Sequence, residues 1–208
     1  MIRAVITDFG GVLTVPLDQA FAGAQERTGV SPEDMREAMF RATETYDGSP
    51  PLWELERGEI SEQEFLDRLG AELPGDATLQ GFGAAYFEHL HSNEPMISFM
   101  REIRARGLRA AILTNNVREW DGLWRAKVPD LEAVFETVVD SAWVGIRKPD
   151  RKIYELTLER LGDVAPEECL FVDDLEINCT AAAEIGMRSV HFRDNDQAMG
   201  EIEAALTG

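Results

Sequence analysis

Five short apolar runs alternate with helix-length segments, and this alternation most constrains the fold. The runs are too short for core helices and rich in β-branched residues, which predicts buried strands. They cover residues 2–6, 109–113, 137–139, 169–172 and 188–192. Helical patterns follow at residues 96–106, 119–126, 151–161 and 177–185, and a short terminal helix is predicted at 201–206. This order predicts an α/β protein with a doubly wound, Rossmann-like parallel sheet.

One long segment interrupts the alternation. Residues 16–91 contain no convincing strand and several amphipathic stretches. Ser31-Pro32 has the N-cap serine and N1 proline of a helix start, and Ser61 with Glu64 has the spacing of a capping box. We therefore predict a helical cap subdomain over residues 16–91, inserted into an α/β core domain of residues 1–15 and 92–208.

The overall charge and the cysteines restrict the function and the compartment. A formal net charge of −19 argues against nucleic acid or an anionic membrane surface as a partner. Cys169 and Cys179 lack metal-ligand or redox spacing, so reduced thiols in the cytoplasm are expected. The first apolar run leads directly into Asp8 and two glycines, unlike a signal peptide, and no run approaches membrane-spanning length. The oligomeric state, monomer or homodimer, stays open.

Polar side chains directly follow three of the predicted strands. Asp8 follows the first strand, Thr114 and Asn115 end the second, and Asp173 and Asp174 end the fourth. Ligands of open α/β sheets bind at this carboxyl edge. With the strand order 3-2-1-4-5, the first and fourth strands are neighbours and their three carboxylates converge. Each motif alone also fits simple helix capping.

A cation is expected at this edge because clustered carboxylates repel one another. Burying Asp8 with Asp173 and Asp174 costs several kcal/mol unless a cation offsets the charge. Mg²⁺, which prefers oxygen ligands, suits such a cluster. Lys148 stands just before a predicted helix start at Pro149. The helix macrodipole disfavours a cation there, so either an anion compensates it or it is a surface lysine.

Taken together and in this order, the motifs resemble those of the haloacid dehalogenase-like hydrolase superfamily. The segments that match are Asp-Phe-Gly-Gly-Val-Leu at 8–13 and Phe-Val-Asp-Asp-x-x-x-Asn-x-x-Ala-Ala at 171–182. They are most similar to the branch with a helical cap after strand one, which includes soluble epoxide hydrolase phosphatase domains and sugar-phosphate phosphatases. The resemblance implies an Mg²⁺-dependent phosphatase of a small phosphorylated metabolite, acting through an aspartyl-phosphate.

The resemblance also implies a role for each motif residue. Asp8 would be the nucleophile, and Lys148 would neutralise the nucleophile and the phosphate. Thr114 and the Asn115 backbone would bind the phosphoryl oxygens. Mg²⁺ would be held by Asp8, the backbone carbonyl of Gly10 and Asp174, while Asp173 would act from outside the direct ligands or through water.

One position departs from the family pattern. The family's phosphatases usually carry a second aspartate two residues after the nucleophile, as general acid and base, and here that residue is Gly10. A positioned acid or base is worth about 10²–10⁴-fold in rate. The departure predicts a slow enzyme, a preference for good leaving groups, or an acid supplied by the cap or the substrate, with Asp18 a weak candidate.

Two other functions are also compatible with the sequence. A dehalogenase of the same fold would use Asp8 and Lys148 without a metal, and the Asp173-Asp174 pair counts against it. The other is a catalytically weak binding or regulatory protein.

The aromatic and cap residues carry two further predictions. Trp120 and Trp124 are predicted to pack in the interior. Four cap residues are candidates for substrate specificity: Arg41, Tyr46, Trp53 and Arg57.

Overall fold

The computed structural model, which describes residues 1–46, 49–75 and 77–208, centres on a parallel sheet. The sheet has five strands in the order β3-β2-β1-β4-β5, as predicted. The strands are β1 (Ala4–Thr7), β2 (Arg109–Thr114), β3 (Thr137–Asp140), β4 (Cys169–Asp173) and β5 (Arg188–His191). Thr7 pairs with Ile112 on one side and Val172 on the other, so Asp8 leaves β1 beside the end of β4.

Helices cover the sheet and fill the interval between β1 and β2. That interval contains α1 (Leu17–Thr28), α2 (Pro32–Thr45), α3 (Pro51–Glu56), α4 (Glu62–Gly70), α5 (Phe82–His89) and α6 (Glu94–Ala105). Later helices are α7 (Asp121–Arg125), α8 (Leu131–Val134), α9 (Ser141–Val144), α10 (Arg151–Leu161), α11 (Glu176–Glu184) and α12 (Asn195–Thr207). Among these, no helix of the described residues is both long and apolar enough to cross a bilayer.

Two helix starts follow the capping signals that the sequence predicted. The Ser31 side chain accepts a hydrogen bond from Asp34 N, and Ser61 accepts one from Glu64 N. The C-terminal helix is longer than the predicted 201–206 because Asp194 caps it by accepting from Gln197 N. The predicted helix at 119–126 is instead a 3₁₀ turn, Arg118–Trp120, followed by α7.

Side-chain alternation along β1 divides the core into two apolar layers. Ala4 and Ile6 pack on one face of the sheet, in a cluster with Phe171. Val5 packs on the opposite face, in a larger cluster that continues into the helices between β1 and β2, for example to Leu55. Both faces of the sheet are therefore covered, as in other parallel sheets.

The chain enters and leaves the segment 16–91, called the cap below, at adjacent points. Thr14 and Ser92 form an isolated antiparallel bridge. Val15 N donates to His91 O at 2.9 Å, and Asn93 N donates to Leu13 O at 2.9 Å. The predicted boundaries after residue 15 and before residue 92 fall at this crossing, while the division into two domains stays a prediction.

Candidate active site

Asp8 lies on the turn that follows β1, and the local backbone fixes its position. Its backbone N donates to Val172 O at 2.8 Å, which extends the β1–β4 pairing by one residue. The Asp8 carboxylate accepts from Phe9 N at 2.6 Å. Gly11 has a positive φ of 72°, and a Cβ there would collide with the Asp174 carboxylate. The turn thus brings Asp174 against the backbone, and only glycine fits at position 11.

Lys148 is a buried ammonium placed between two carboxylates. The Lys148 Nζ lies 2.9 Å from Asp8 Oδ1 and 2.6 Å from Asp173 Oδ2. Lys148 is only 1% exposed. Burial alone would lower the pKa of Lys148, but the charges and hydrogen bonds of Asp173 and Asp8 outweigh it and raise that pKa. Lys148 therefore stays protonated, and the anionic compensation expected for a cation at this place is present.

The two carboxylates that follow β4 have different surroundings. Both oxygens of Asp173 are engaged: Oδ2 accepts from Lys148, and Oδ1 accepts from Leu175 N at 2.8 Å and from Asn178 Nδ2 at 3.0 Å. The Asp174 carboxylate accepts no hydrogen bond from another residue of the described ranges, since the His191 ring contacts only the Asp174 backbone O at 3.0 Å, and Asp174 lines a cavity beside Asp8. Asp173 thus holds the lysine, while Asp174 has a free carboxylate.

The three carboxylates form one acidic cluster with excess negative charge. Asp8, Asp173 and Asp174 each offer an oxygen within 4.8 Å of the others. Burial raises the pKa of Asp8 to about 8 despite Lys148, and Asp173 and Asp174 add to the rise. Burial, followed by the charge of Asp173, raises the pKa of Asp174 to about 6. One lysine cannot balance three carboxylates, so a divalent cation with oxygen ligands fits this donor set.

The residues that end β2 reach the same edge of the sheet. Asn115 is joined to Lys148 by two hydrogen bonds: its Oδ1 accepts from Lys148 N at 2.8 Å, and its Nδ2 donates to Lys148 O at 3.1 Å. Asn115 lines the cavity, whereas the buried Thr114 is not among the residues that line it. Asn115 therefore also positions the loop that carries Lys148, a role that the sequence motif did not indicate.

A cavity of about 410 Å³ lies over Asp8, between the sheet edge and the cap. The sheet edge contributes polar groups to it, including Asn116 and Asn178. The cap contributes a mostly apolar wall: Leu17, Phe21, Met35, Met39, Leu52, Leu55, Phe65, Leu66, Leu79, Phe82, Tyr86, Phe87 and Leu90. The cavity is thus charged at its base and apolar above it.

The sequence matches a known protein family over most of its length. A family model described as haloacid dehalogenase-like hydrolase matches residues 2–186. The chain belongs to the haloacid dehalogenase-like hydrolases. The resemblance inferred from the motifs is confirmed, and so is the hydrolase class.

Three curated relatives of this hydrolase differ in length and in the function that their names give. Mouse acyl-CoA dehydrogenase family member 10 is 32% identical over 98% of the chain, which spans 19% of that protein. Pig bifunctional epoxide hydrolase 2 is 27% identical over 97% of the chain, which spans 38% of it. A sesquiterpene phosphatase from Aspergillus oryzae is 32% identical over 69% of the chain and is itself 73% covered. The chain thus spans well under half the length of the first two.

A solved relative has the same fold. It is a haloacid dehalogenase family enzyme from Bacteroides thetaiotaomicron, crystallised in complex with magnesium and inorganic phosphate. The two structures align with a TM-score of 0.70 at 21% identity, covering 93% of this chain and 95% of the other.

The cap of this hydrolase places other residues at the cavity than the sequence suggested. The four cap residues that the sequence suggested for specificity do not line this cavity, so their role stays a prediction: Arg41, Tyr46, Trp53 and Arg57. Asp18 is also outside it, is exposed, and accepts from Gln19 N on the first turn of α1. Trp124 is fully buried, 5.1 Å from the Phe9 ring, as predicted, whereas Trp120 lines the cavity.

One ion pair connects the cap to the loop before Lys148. Arg147 Nε donates to Glu56 Oε2 at 2.6 Å, and both residues line the cavity. Burial raises the pKa of Glu56, although the charge of Arg147 opposes this. No sequence motif pointed to Glu56 or Arg147, because their pairing depends on how α3 packs over the sheet edge.

Proposed function

We propose that this protein is an Mg²⁺-dependent phosphatase of small phosphorylated metabolites that uses Asp8 as its nucleophile. The observation that carries the proposal is the placement of Asp8 at the base of the cavity, held by the buried Lys148 and within 4.8 Å of Asp173 and Asp174. A dehalogenase would need no such cluster of carboxylates.

The surroundings of each carboxylate support the division of roles. We assign Mg²⁺ to Asp8, Asp174 and the backbone carbonyl of Gly10. Asp173 acts indirectly, because Lys148 and Asn178 already occupy its oxygens. When bound, Mg²⁺ supplies positive charge that lowers the repulsion between a carboxylate and a phosphate.

The chain's own residues supply the remaining chemistry. Asp8 attacks the phosphorus, the bond to the ester oxygen breaks, and an aspartyl-phosphate forms. Lys148 offsets charge on the nucleophile and on the phosphoryl oxygens. We assign the phosphoryl oxygens to Thr114 and the Asn115 backbone, of which only Asn115 already lines the cavity. Water then attacks the phosphorus and releases phosphate, which restores the Asp8 carboxylate.

The cavity favours a substrate whose alcohol part is apolar rather than a sugar. The cap side of the cavity is built mainly from leucine, methionine and phenylalanine, while Glu56 and Arg147 in its lining are paired with each other. At about 30 Å³ per group, the share of one water in the liquid, the 410 Å³ cavity holds roughly 10–14 non-hydrogen atoms. The Aspergillus relative is named a sesquiterpene phosphatase, which is consistent with an apolar substrate.

Hydrolysis of p-nitrophenyl phosphate with and without Mg²⁺, with Asp8→Asn as the control, tests the reaction. Turnover that requires both Mg²⁺ and Asp8 supports the phosphatase. Metal-independent halide release from a 2-haloacid would support a dehalogenase instead, and no turnover of either substrate would favour a binding or regulatory protein.

A series of alkyl phosphates from ethyl to decyl, with glucose 1-phosphate as the polar comparison, tests the substrate class. Burial of about 0.8 kcal/mol per methylene predicts a rise of about fourfold in kcat/KM for each carbon until the cavity is full. Leu52→Ser should reduce this slope, because Leu52 lines the cavity at an exposed position. The matched variant Leu123→Ser, exposed and outside this cavity, should not. Turnover without chain-length dependence would refute the apolar class but not the phosphatase.

A further inference from the structure

Tyr86, on α5 of the cap, is a buried phenol whose ring is held on several sides. It is 7% exposed. Its ring stacks on Trp120 at a centroid distance of 5.4 Å, meets the edge of Phe87 at 5.3 Å, and lies 5.2 Å from Phe21. These contacts leave the ring little freedom to turn, so the direction of its hydroxyl is fixed by packing.

The Tyr86 hydroxyl has no protein partner in the described part of the chain. The other buried tyrosine, Tyr154, donates from its hydroxyl to Asn178 O at 3.0 Å, as buried tyrosines usually do. The Tyr86 oxygen is not among the described side-chain atoms that are sealed from solvent without a hydrogen bond, so it is accessible. Tyr86 lines the cavity together with Asp8, Gly10 and Asp174, so a molecule bound there can accept a hydrogen bond from this hydroxyl.

Electrostatics keep this hydroxyl protonated. Burial raises the pKa of Tyr86 above its usual value, and the charges of Asp8 and Asp174 raise it further. Because Asp8 lies at the base of the cavity and Tyr86 belongs to its cap wall, an ester bound at Asp8 extends its alcohol part toward the wall that contains Tyr86.

We propose that Tyr86 donates the proton that the side chain at position 10 does not supply, as the catalytic acid for the leaving alcohol. The proposal rests on the phosphatase function above. When Asp8 attacks, the phosphorus–oxygen ester bond breaks and its electron pair goes to the alcohol oxygen, which takes the Tyr86 proton. Although burial raises the pKa of Tyr86 above the ordinary value of about 10 for a phenol, Tyr86 stays a stronger acid than an aliphatic alcohol, which resembles water at about 15.7.

The second half of the reaction returns the proton. The Tyr86 phenolate accepts a proton from the water that attacks the aspartyl-phosphate. The new phosphorus–oxygen bond forms as the bond to Asp8 breaks, with its electron pair returning to the Asp8 carboxylate. Tyr86 is protonated again, and the net reaction is ester plus water to alcohol plus phosphate.

Tyr86→Phe tests this role because it removes only the hydroxyl and keeps the ring contacts. We expect kcat for octyl phosphate to fall by about 10²-fold, the lower end of the value of a general acid. The kcat for p-nitrophenyl phosphate should change by less than about threefold, because nitrophenolate leaves without a proton. Gly10→Asp in the Tyr86→Phe background should restore much of the loss on octyl phosphate.

Tyr154→Phe is the matched control, since it removes a buried tyrosine hydroxyl outside the cavity. It should lower thermal stability without changing the ratio of the two rates. Equal losses on both esters in Tyr86→Phe, or no loss on octyl phosphate, would overturn the role of Tyr86 while leaving the phosphatase intact. Failure of the wild type to hydrolyse p-nitrophenyl phosphate with Mg²⁺ would overturn the phosphatase function, and this role with it.

Discussion

Replacing Gly10 by aspartate is the most informative change, because it supplies the carboxylate that the family's phosphatases usually have. Gly10 is absent from the glycines with positive φ, so its backbone accepts a side chain. A Cβ there would lie 3.3 Å from Leu17 Cδ1, a tight contact with the flexible end of a partly exposed side chain. The substitution should therefore fold, in contrast to Gly11→Ala, which combines positive φ with a collision against Asp174.

The effect on rate depends on whether Tyr86 already donates a proton. In the wild-type background we expect Gly10→Asp to raise kcat/KM for octyl phosphate by about tenfold, and in Tyr86→Phe by about 10²-fold, within the general-acid range. A fourth carboxylate beside one lysine should also lower the metal-free stability by about 1–2 kcal/mol. The lower entropy of the unfolded chain offsets about 0.4–1 kcal/mol of that loss.

The assay is kcat/KM for octyl and p-nitrophenyl phosphate at saturating Mg²⁺, in four proteins: wild type, Gly10→Asp, Tyr86→Phe and the double variant. Gly10→Ala is the steric control, since it adds the same Cβ beside Leu17 without a carboxylate. If Gly10→Asp is no faster than Gly10→Ala in either background, the absence of an acid at position 10 does not limit the rate, and our reasoning about this site is wrong.

Three further predictions concern charge in the buried site. Asp8→Asn should remove at least nine-tenths of turnover, consistent with covalent catalysis. Its melting temperature without metal should be unchanged or higher, because burial among carboxylates already disfavours the charged form of Asp8. Mg²⁺ at a hundredfold excess over its Kd should stabilise the wild type by about 2.7 kcal/mol. In differential scanning calorimetry this gain should vanish in Asp174→Ala and only weaken in Asp173→Ala; equal losses would contradict the assigned roles. Asp140, buried at the start of α9, has its pKa raised from 3.8 to about 6 by burial. The folded state then holds a proton that the unfolded state has lost, so stability should fall by on the order of 2–3 kcal/mol as pH rises from about 4 to 6. Chemical denaturation at saturating Mg²⁺ should find this dependence absent from Asp140→Asn.

Local patterns in the sequence determined the fold class and most of the charged site. The β-branched runs and the helix caps at Ser31 and Ser61 act over a few residues, so their structure follows from neighbouring positions. The convergence of Asp8 with Asp173 was also predictable, because neighbouring parallel strands end at one edge of the sheet.

Tertiary packing alone decided which groups face the cavity. An amphipathic pattern says that a cap helix buries one side, but it does not say whether that side meets the core or a cavity. The Arg41 guanidinium donates to Glu72 O, while Tyr86 lines the cavity that also contains Asp8. The difference between Gly10, which can accept a side chain, and Gly11, which cannot, depends in the same way on a contact with Asp174, more than 160 residues away along the chain.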